Sequence, residues 1–429
     1  MRQWRGEAIR IATCVVVVGC AALFAGARWY DEKYLEGELK KAVAANNHQE
    51  IAGIVGQLAA LETTRALEIV LAVGEQFPAD PVRSAVLDAL TASRTNNCLA
   101  FYAKQLAETR SAARAMVLIE TLYMIDRPEA LTPLLAVLTT HKDTRILLTV
   151  VRALRAKPTR ETIDALLEFF RLVQDDRDSL WAETRVTLLA LTEQNYELHD
   201  DWAKWWVEQR TEWKPKTDDD ADGKARTAVF RPDRKLDLPQ LFGQEIASKR
   251  VVFVIDTSKS MKEKQEGSGG AEEGSAGKPD VPRLELAKME LIRAIDKLRP
   301  DVRFNVIAYN TTQSFWQDGT KLLPATAKNK KSVTEYIRNW RADGFTNTEA
   351  AVMSGLALEG LDTLILLSDG SPTDPADGKL VDWKPILEAI RAENRFKKVT
   401  IHTLGFKGAN TTFMKTLAKQ NGGTFASIK

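Results

Sequence analysis

The sequence predicts a multidomain chain in which an α-helical repeat region precedes an α/β doubly wound domain. Three observations point there. From about Tyr34 to Glu197 strand signal is almost absent and similar amphipathic phrases return. From Arg250 onward, short apolar runs rich in β-branched residues alternate with helical stretches. Between them, Lys214 to Arg226 (KPKTDDDADGKAR) is polar, acidic and aperiodic, as a linker is. A length of 429 residues with 44% hydrophobic content suits two or three folded domains. The net charge of +2, with basic residues scattered among nearly as many acids, leaves no basic patch for nucleic acid.

Residues 1–30 read as a membrane anchor or signal segment. MRQWRGEAIR is cationic, and the 17 residues from Ile11 to Ala27 are apolar or small, flanked by Trp4, Trp29 and Tyr30 as interfacial anchors. Ala25-Gly26-Ala27 also fits a cleavage site and Val17 to Cys20 a lipoprotein signal. The apolar run continues past Cys20 without a distinct short core, so the reading taken is a retained single-pass anchor; secretion after cleavage near Ala27 and lipidation at Cys20 are the other two fates. Arg2, Arg5 and Arg10 favour a cytoplasmic N-terminus and extracytoplasmic soluble domains, against Arg28, Lys33, Lys40 and Lys41 on the other flank. Cys14 and Cys20 lie in the apolar segment and Cys98 is alone among apolar neighbours, so no disulfide framework is expected.

Residues 34–214 form the helical region. Phrases recur at Pro81 (PVRSAVLDAL), Ala112 (AARAMVLIETL), Asp143 (DTRILLTVVRAL) and Glu183 (ETRVTLLAL), and Arg83, Arg114 and Arg145 follow one another at intervals of 31 residues. A second helix follows each phrase, as at Cys98 and Ala130, so the pattern resembles HEAT-like repeats. Such an array implies a concave face for an extended partner, or a spacer. Asp200 to Lys214 (DDWAKWWVEQRTEWK) carries Trp202, Trp205, Trp206 and Trp213 largely on one helix face. Asp200 or Asp201 is expected to cap this helix, which closes the array.

Residues 215–248 are linker and lead-in, with Ala228 to Gly243 extended. The domain at 249–429 starts with RVVFVIDTSKSM. Val251 to Ile255 is an unbroken apolar run without alternation, hence a strand covered on both faces at the centre of a parallel sheet. Asp256, Ser258 and Ser260 follow it, where ligands bind in open α/β sheets. Leu361 to Gly370 (LDTLILLSDG) is a second buried strand that delivers Asp369 to the same edge, and Gly344 to Ala351 (GFTNTEAA) brings Thr346 to a helix start. These hard oxygens suit Mg²⁺, Mn²⁺ or Ca²⁺.

D-x-S-x-S after a first strand, G-x-T-N-T and the later SDG resemble the von Willebrand factor A (VWA) domain and its metal-ion-dependent adhesion site (MIDAS). The resemblance covers roughly Lys249 to Lys429 and implies a Rossmann-like fold. It also implies Ser258, Ser260 and Thr346 as direct or near-direct ligands, with Asp256 and Asp369 acting largely through water. Neutral hydroxyls and water-mediated carboxylates leave a divalent ion, most simply Mg²⁺, under-neutralised and open to a partner's Asp or Glu. Lys259 departs from the small residue usual there. So does the insertion KEKQEGSGGAEEGSAGKPDVP, in which Glu266, Glu272 or Glu273 could compete for the ion in cis.

The remaining alternation is strand Arg303 to Tyr309, helices from Arg283, Lys328, Thr346, Trp383 and Thr411, strand Val399 to Leu404 and a last strand at Thr424 to Ile428. Asp374 and Asp377 read as turn residues. No G-x-S-x-G, H-E-x-x-H or P-loop pattern occurs, and His48, His141, His199 and His402 are dispersed, so no enzyme is expected. The expected function is a membrane-anchored, extracytoplasmic protein-interaction module whose ion engages an acidic side chain of a protein partner. The alternatives are a cytoplasm-facing assembly subunit working with an ATPase, or a structural scaffold with a vestigial site.

Overall fold

The computed structural model describes residues 31–93, 95–215, 238–264, 281–317 and 319–428. The anchor at 1–30, most of the linker and Glu266, Glu272 and Glu273 therefore lie outside the described residues. Among those described, no helix is long and apolar enough to cross a membrane. Two compact units divide between Thr140 and His141.

The first unit holds α1 (residues 31–44), α2 (His48–Ala60), α3 (Thr64–Gln76), α4 (Val82–Ala92), α5 (Asn96–Glu108), α6 (Ala112–Met124) and α7 (Leu131–Thr140). Helix starts are written in the sequence: Asn47, Thr63, Thr95 and Ser111 each accept an amide proton of the first turn on the side chain. Alternate helices stack, α2 on α4 and α4 on α6, with α5 on α7 beside them. The recurring arginines knit this stack. Buried Arg83 donates to Gly74 O at 3.2 Å and pairs with Glu120, and Arg114 reaches Glu75 at 2.6 Å and Glu68 at 3.0 Å.

The second unit begins with α8 (Thr144–Leu154), α9 (Arg160–Val173), α10 (Ser179–Thr192) and α11 (His199–Gln209). Arg145 breaks the pattern of its predecessors, since it pairs with Asp143, the cap of its own helix, at 2.6 Å. Neither Asp200 nor Asp201 caps α11. Leu198 holds that position and both acids lie in the first turn, where their charge still meets the positive end of the helix dipole. Trp202 and Trp206 are buried, Trp206 Nε1 donates to Asp164 at 2.7 Å, and Trp213 meets Trp206 edge-on from beyond the helix end.

The rest is a mixed sheet between two helix layers. Its strands are β3 (Arg250–Asp256), β4 (Arg303–Tyr309), β5 (Gln313–Phe315), β6 (Leu323–Pro324), β7 (Thr363–Ser368), β8 (Thr400–Gly405) and β9 (Phe425–Ser427), in the order β5-β4-β3-β7-β8-β9 with β6 also on β4. A hairpin of β1 (Gln240–Leu241) and β2 (Gln244–Glu245) precedes it. The core β4-β3-β7-β8-β9 is parallel; its middle strand is β7, and β3, expected at the centre, is the interior strand between β4 and β7. The antiparallel additions β5 and β6 were not expected from sequence. Val251, Phe253 and Ile255 face a layer made by α12 (Arg283–Asp296) and α13 (Ala327–Arg338). Val252 and Val254 face α14 (Thr348–Leu356), α15 (Trp383–Asn394) and α16 (Thr411–Gln420). Both faces of β3 are thus covered, which is why its apolar run has no alternation.

Within this unit the helices α8 to α10 meet the amino edge of the sheet. Arg152 donates from Nη2 to Thr400 Oγ1 at 2.8 Å while its Nε holds Glu183 at 2.8 Å. Lys249, just before β3, pairs with Asp176, and Arg299 reaches Asp176 O at 3.4 Å. The carboxyl edge lies at the far end of the strands from these contacts.

Candidate metal centre

The chain runs from β3 to β4 on one side and returns to β7 on the other, so a crevice opens where β3 and β7 end side by side. Asp256 is the last residue of β3 and is fully buried. Its Oδ1 accepts the Ser258 amide proton at 2.8 Å, and its Oδ2 accepts from Ser368 Oγ at 2.7 Å and Tyr309 OH at 3.5 Å. These bonds fix the turn, and the turn presents Ser258 and Ser260 with their hydroxyl oxygens 3.1 Å apart. The Ser260 hydroxyl donates onward to Asp369 Oδ1 at 2.7 Å.

Thr346 enters from the loop before α14. Asn347 caps that helix, and the Thr346 amide donates to Thr373 Oγ1 at 2.8 Å while Thr373 N donates back to Thr346 O at 3.0 Å. Gly370 lies between the strands' loops, where an added Cβ would stand 3.7 Å from Thr346 Oγ1 and 4.0 Å from Ser260 Oγ. One point beside Gly370 thus lies within 4.0 Å of both hydroxyl oxygens. Among the described residues Lys259 is tied through its backbone, N to Gly344 O at 3.0 Å, and its side chain is exposed.

The electrostatics of the cluster favour a cation. Burial, then the charge of Asp369, pushes the Asp256 carboxyl up to about 6. Burial also raises Asp369, against the hydrogen bonds from Ser260 and Arg283. Three hydroxyls and two carboxylates, all hard oxygen donors and nearly all buried, fit Mg²⁺, Mn²⁺ or Ca²⁺. The five residues singled out in the sequence meet here.

Sequence reasoning missed Ser368 and Tyr309, which hold Asp256, Thr373, which holds Thr346, and Arg283, whose Nη1 lies 2.9 Å from Asp369 Oδ2. Only Ser368 had a signal, as the first letter of SDG. Asp374 and Asp377 accept amide protons from Ala376 and Lys379 at 2.7 and 3.0 Å, which is turn chemistry. His402 lies on β8, away from the cluster; its Nδ1 accepts from Thr424 N at 3.1 Å and burial pulls its pKa down to about 4.

Comparison with known families matches residues 251–429 to the von Willebrand factor type A domain. Among curated proteins the chain is similar to inter-alpha-trypsin inhibitor heavy chain 4 of Mus musculus, 29% identical over 41% of this chain and 17% of that protein. It is also similar to inter-alpha-trypsin inhibitor heavy chain H4 of Bos taurus, 27% identical over 45% and 19%. The chain thus spans less than a fifth of the length of these relatives. Among solved structures, a von Willebrand factor type A protein from Catenulispora acidiphila aligns at 20% identity over 43% of this chain and 40% of that one, with a TM-score of 0.34.

Proposed function

With residues 251–429 a von Willebrand factor type A domain, we propose that this chain is a protein-interaction module that uses a divalent cation, Mg²⁺ first, to engage an acidic side chain of a protein partner. The observation that carries the reading is the joining of Ser258, Ser260 and Asp369 through contacts of 3.1 and 2.7 Å, with Thr346 Oγ1 and Ser260 Oγ both within 4.0 Å of one point beside Gly370. When bound, the cation offers a coordination position that a carboxylate from outside can fill.

The chain's own residues do the rest. Ser258, Ser260 and Thr346 present neutral oxygens, which leave positive charge for the partner to neutralise. Asp256 anchors the turn, and Asp369 orients the Ser260 hydroxyl. At the rim, Phe345 (40% exposed) precedes Thr346, and Leu380 (76% exposed) stands on the loop that Thr373 ties to Thr346. These two side chains offer an apolar contact beside the acidic one. A leader retained as an anchor would display the domain outside the cytoplasm.

Calorimetric titration of Mg²⁺, Mn²⁺ and Ca²⁺ into the full chain tests the reading, beside folded Asp256→Ala and Ser258→Ala variants. Each substitution is expected to weaken binding on the order of 100-fold. If the folded wild type takes up none of the three ions, with or without added carboxylate, the module is a scaffold and the proposal fails.

A further inference from the structure

Arg283 is the first residue of α12, 7% exposed, and no side chain caps the helix before it. Its Nη1 lies 2.9 Å from Asp369 Oδ2 and 2.9 Å from Glu263 Oε2, and its Nη2 donates to Lys407 O at 2.8 Å. Its own amide donates to Glu263 O at 2.9 Å, and Nε has no hydrogen-bond partner among the described residues. Both oxygens of Asp369 are therefore taken, Oδ1 by the Ser260 hydroxyl and Oδ2 by a buried cation.

The charge count follows from this geometry. Asp256 and Asp369 bring two buried negative charges, and Arg283 cancels one of them. Glu263 is largely solvated, at 65% side-chain exposure, and counts for less. A divalent ion entering the cluster meets about one net negative charge where it needs two. Among the described residues the buried acids of the cluster are Asp256 and Asp369, so the missing charge is open to a carboxylate that arrives with the ligand.

We propose that Arg283 is a built-in counter-charge of the centre, which makes uptake of the divalent ion depend on the simultaneous arrival of a carboxylate. This rests on the cation-dependent reading above and adds to it an order of events. The ion alone binds weakly, and the ion and an acidic side chain bind as a pair. A purely structural role, fastening α12 to the loop after β7, makes a different forecast: losing Arg283 then lowers thermal stability and leaves ion affinity unchanged or weaker.

The experiment measures Mn²⁺ affinity of the full chain by the electron paramagnetic resonance signal of free Mn²⁺, with acetate as the carboxylate probe and chloride at equal ionic strength as control. In the wild type, acetate is expected to tighten Mn²⁺ on the order of tenfold, within the usual range of coupling between two ligands. Arg283→Gln is expected to tighten Mn²⁺ on the order of tenfold without acetate and to abolish most of the acetate effect. Arg283→Lys, which keeps the charge, should behave as wild type, and melting curves confirm that each variant is folded.

If wild type and Arg283→Lys bind Mn²⁺ but Arg283→Gln binds no tighter, or keeps the full acetate effect, the counter-charge proposal is overturned while the metal reading stands. Binding by Arg283→Gln alone supports it. Absence of Mn²⁺ binding by all three, with acetate present, overturns both.

Discussion

Each edge of the central sheet buries an aspartate, and burial pushes both Asp256 and Asp362 up to about 6, yet the two edges complete these groups in different ways. Asp362, just before β7 at the amino edge, accepts from Ser248 Oγ at 2.6 Å and Thr363 Oγ1 at 2.7 Å and has Arg250 Nε at 3.8 Å. Nearby, Arg152, Glu183, Lys249 and Asp176 pair with one another across the helix and sheet contacts. At the carboxyl edge Asp256 has hydroxyl and amide donors but a second carboxylate, Asp369, as its charged neighbour. Similar desolvation thus meets opposite surroundings. The amino edge closes itself with its own ion pairs, whereas the carboxyl edge, even with Arg283, keeps about one net negative charge, half of what would balance a divalent ion.

The largest effect expected from this contrast is on stability against pH. A carboxyl whose folded pKa is raised binds its proton more tightly in the folded state, so its favourable contribution is complete below the ordinary 3.8 and is lost as the pH rises through about 6. Asp362→Asn removes the titration. The stability of the variant relative to wild type should therefore rise between pH 4 and 7, by on the order of 3 kcal/mol. Urea unfolding across that range measures it, and divalent ions should leave the difference untouched. A difference that is flat with pH would mean that Asp362 is held charged by Arg250, and the two edges would then not share a common desolvation.

Second is the contact that joins helix and sheet at the amino edge. Arg152→Ala strips Thr400 and one oxygen of Glu183 of their partner, although Arg155 still holds Glu183 at 2.6 Å. A loss of about 2 kcal/mol is expected in thermal or denaturant unfolding, with Mn²⁺ affinity unchanged. A shift in ion affinity would show that the edges communicate through the sheet and would break the comparison.

The two edges also differ in how far the sequence disclosed them. The carboxyl edge was legible because four of its five residues sit at short offsets from two buried strands, Asp256, Ser258 and Ser260 after the run Val251 to Ile255 and Asp369 after Thr363 to Ser368, while Thr346 stands at a helix start. Each local pattern contained its own position in the fold. Arg283 was not legible, since its role arises only where the start of α12 meets the loop after β7, 86 residues away in the chain. The same holds for Arg152 and Thr400, separated by 248 residues. Strands β5 and β6 escaped because two or three residues are too few for a period to register, and their hydrogen bonds come from β4 rather than from any preference of Gln313 to Phe315 or Leu323 and Pro324. The cap of α11 failed for a local reason: two acids in the first turn satisfy the dipole without occupying the cap.

The smallest effect expected is at Lys259, the sequence's own departure from a small residue between the two serines. Its ammonium shares a sign with Arg283 and stands on the same turn as Ser258 and Ser260, yet the side chain is exposed, and among the described residues its backbone amide makes the contact, on Gly344 O at 3.0 Å. Water and salt screen such a charge over about 8 Å at physiological ionic strength, while they screen the buried Arg283 far less. Lys259→Ala should therefore change Mn²⁺ affinity by less than about threefold at that salt, and somewhat more at low salt, in the same titration that reads Arg283→Gln. A tenfold gain from Lys259→Ala at physiological salt would place a second counter-charge on the carboxyl edge, and burial would no longer be what separates a charge that governs the centre from one that only borders it.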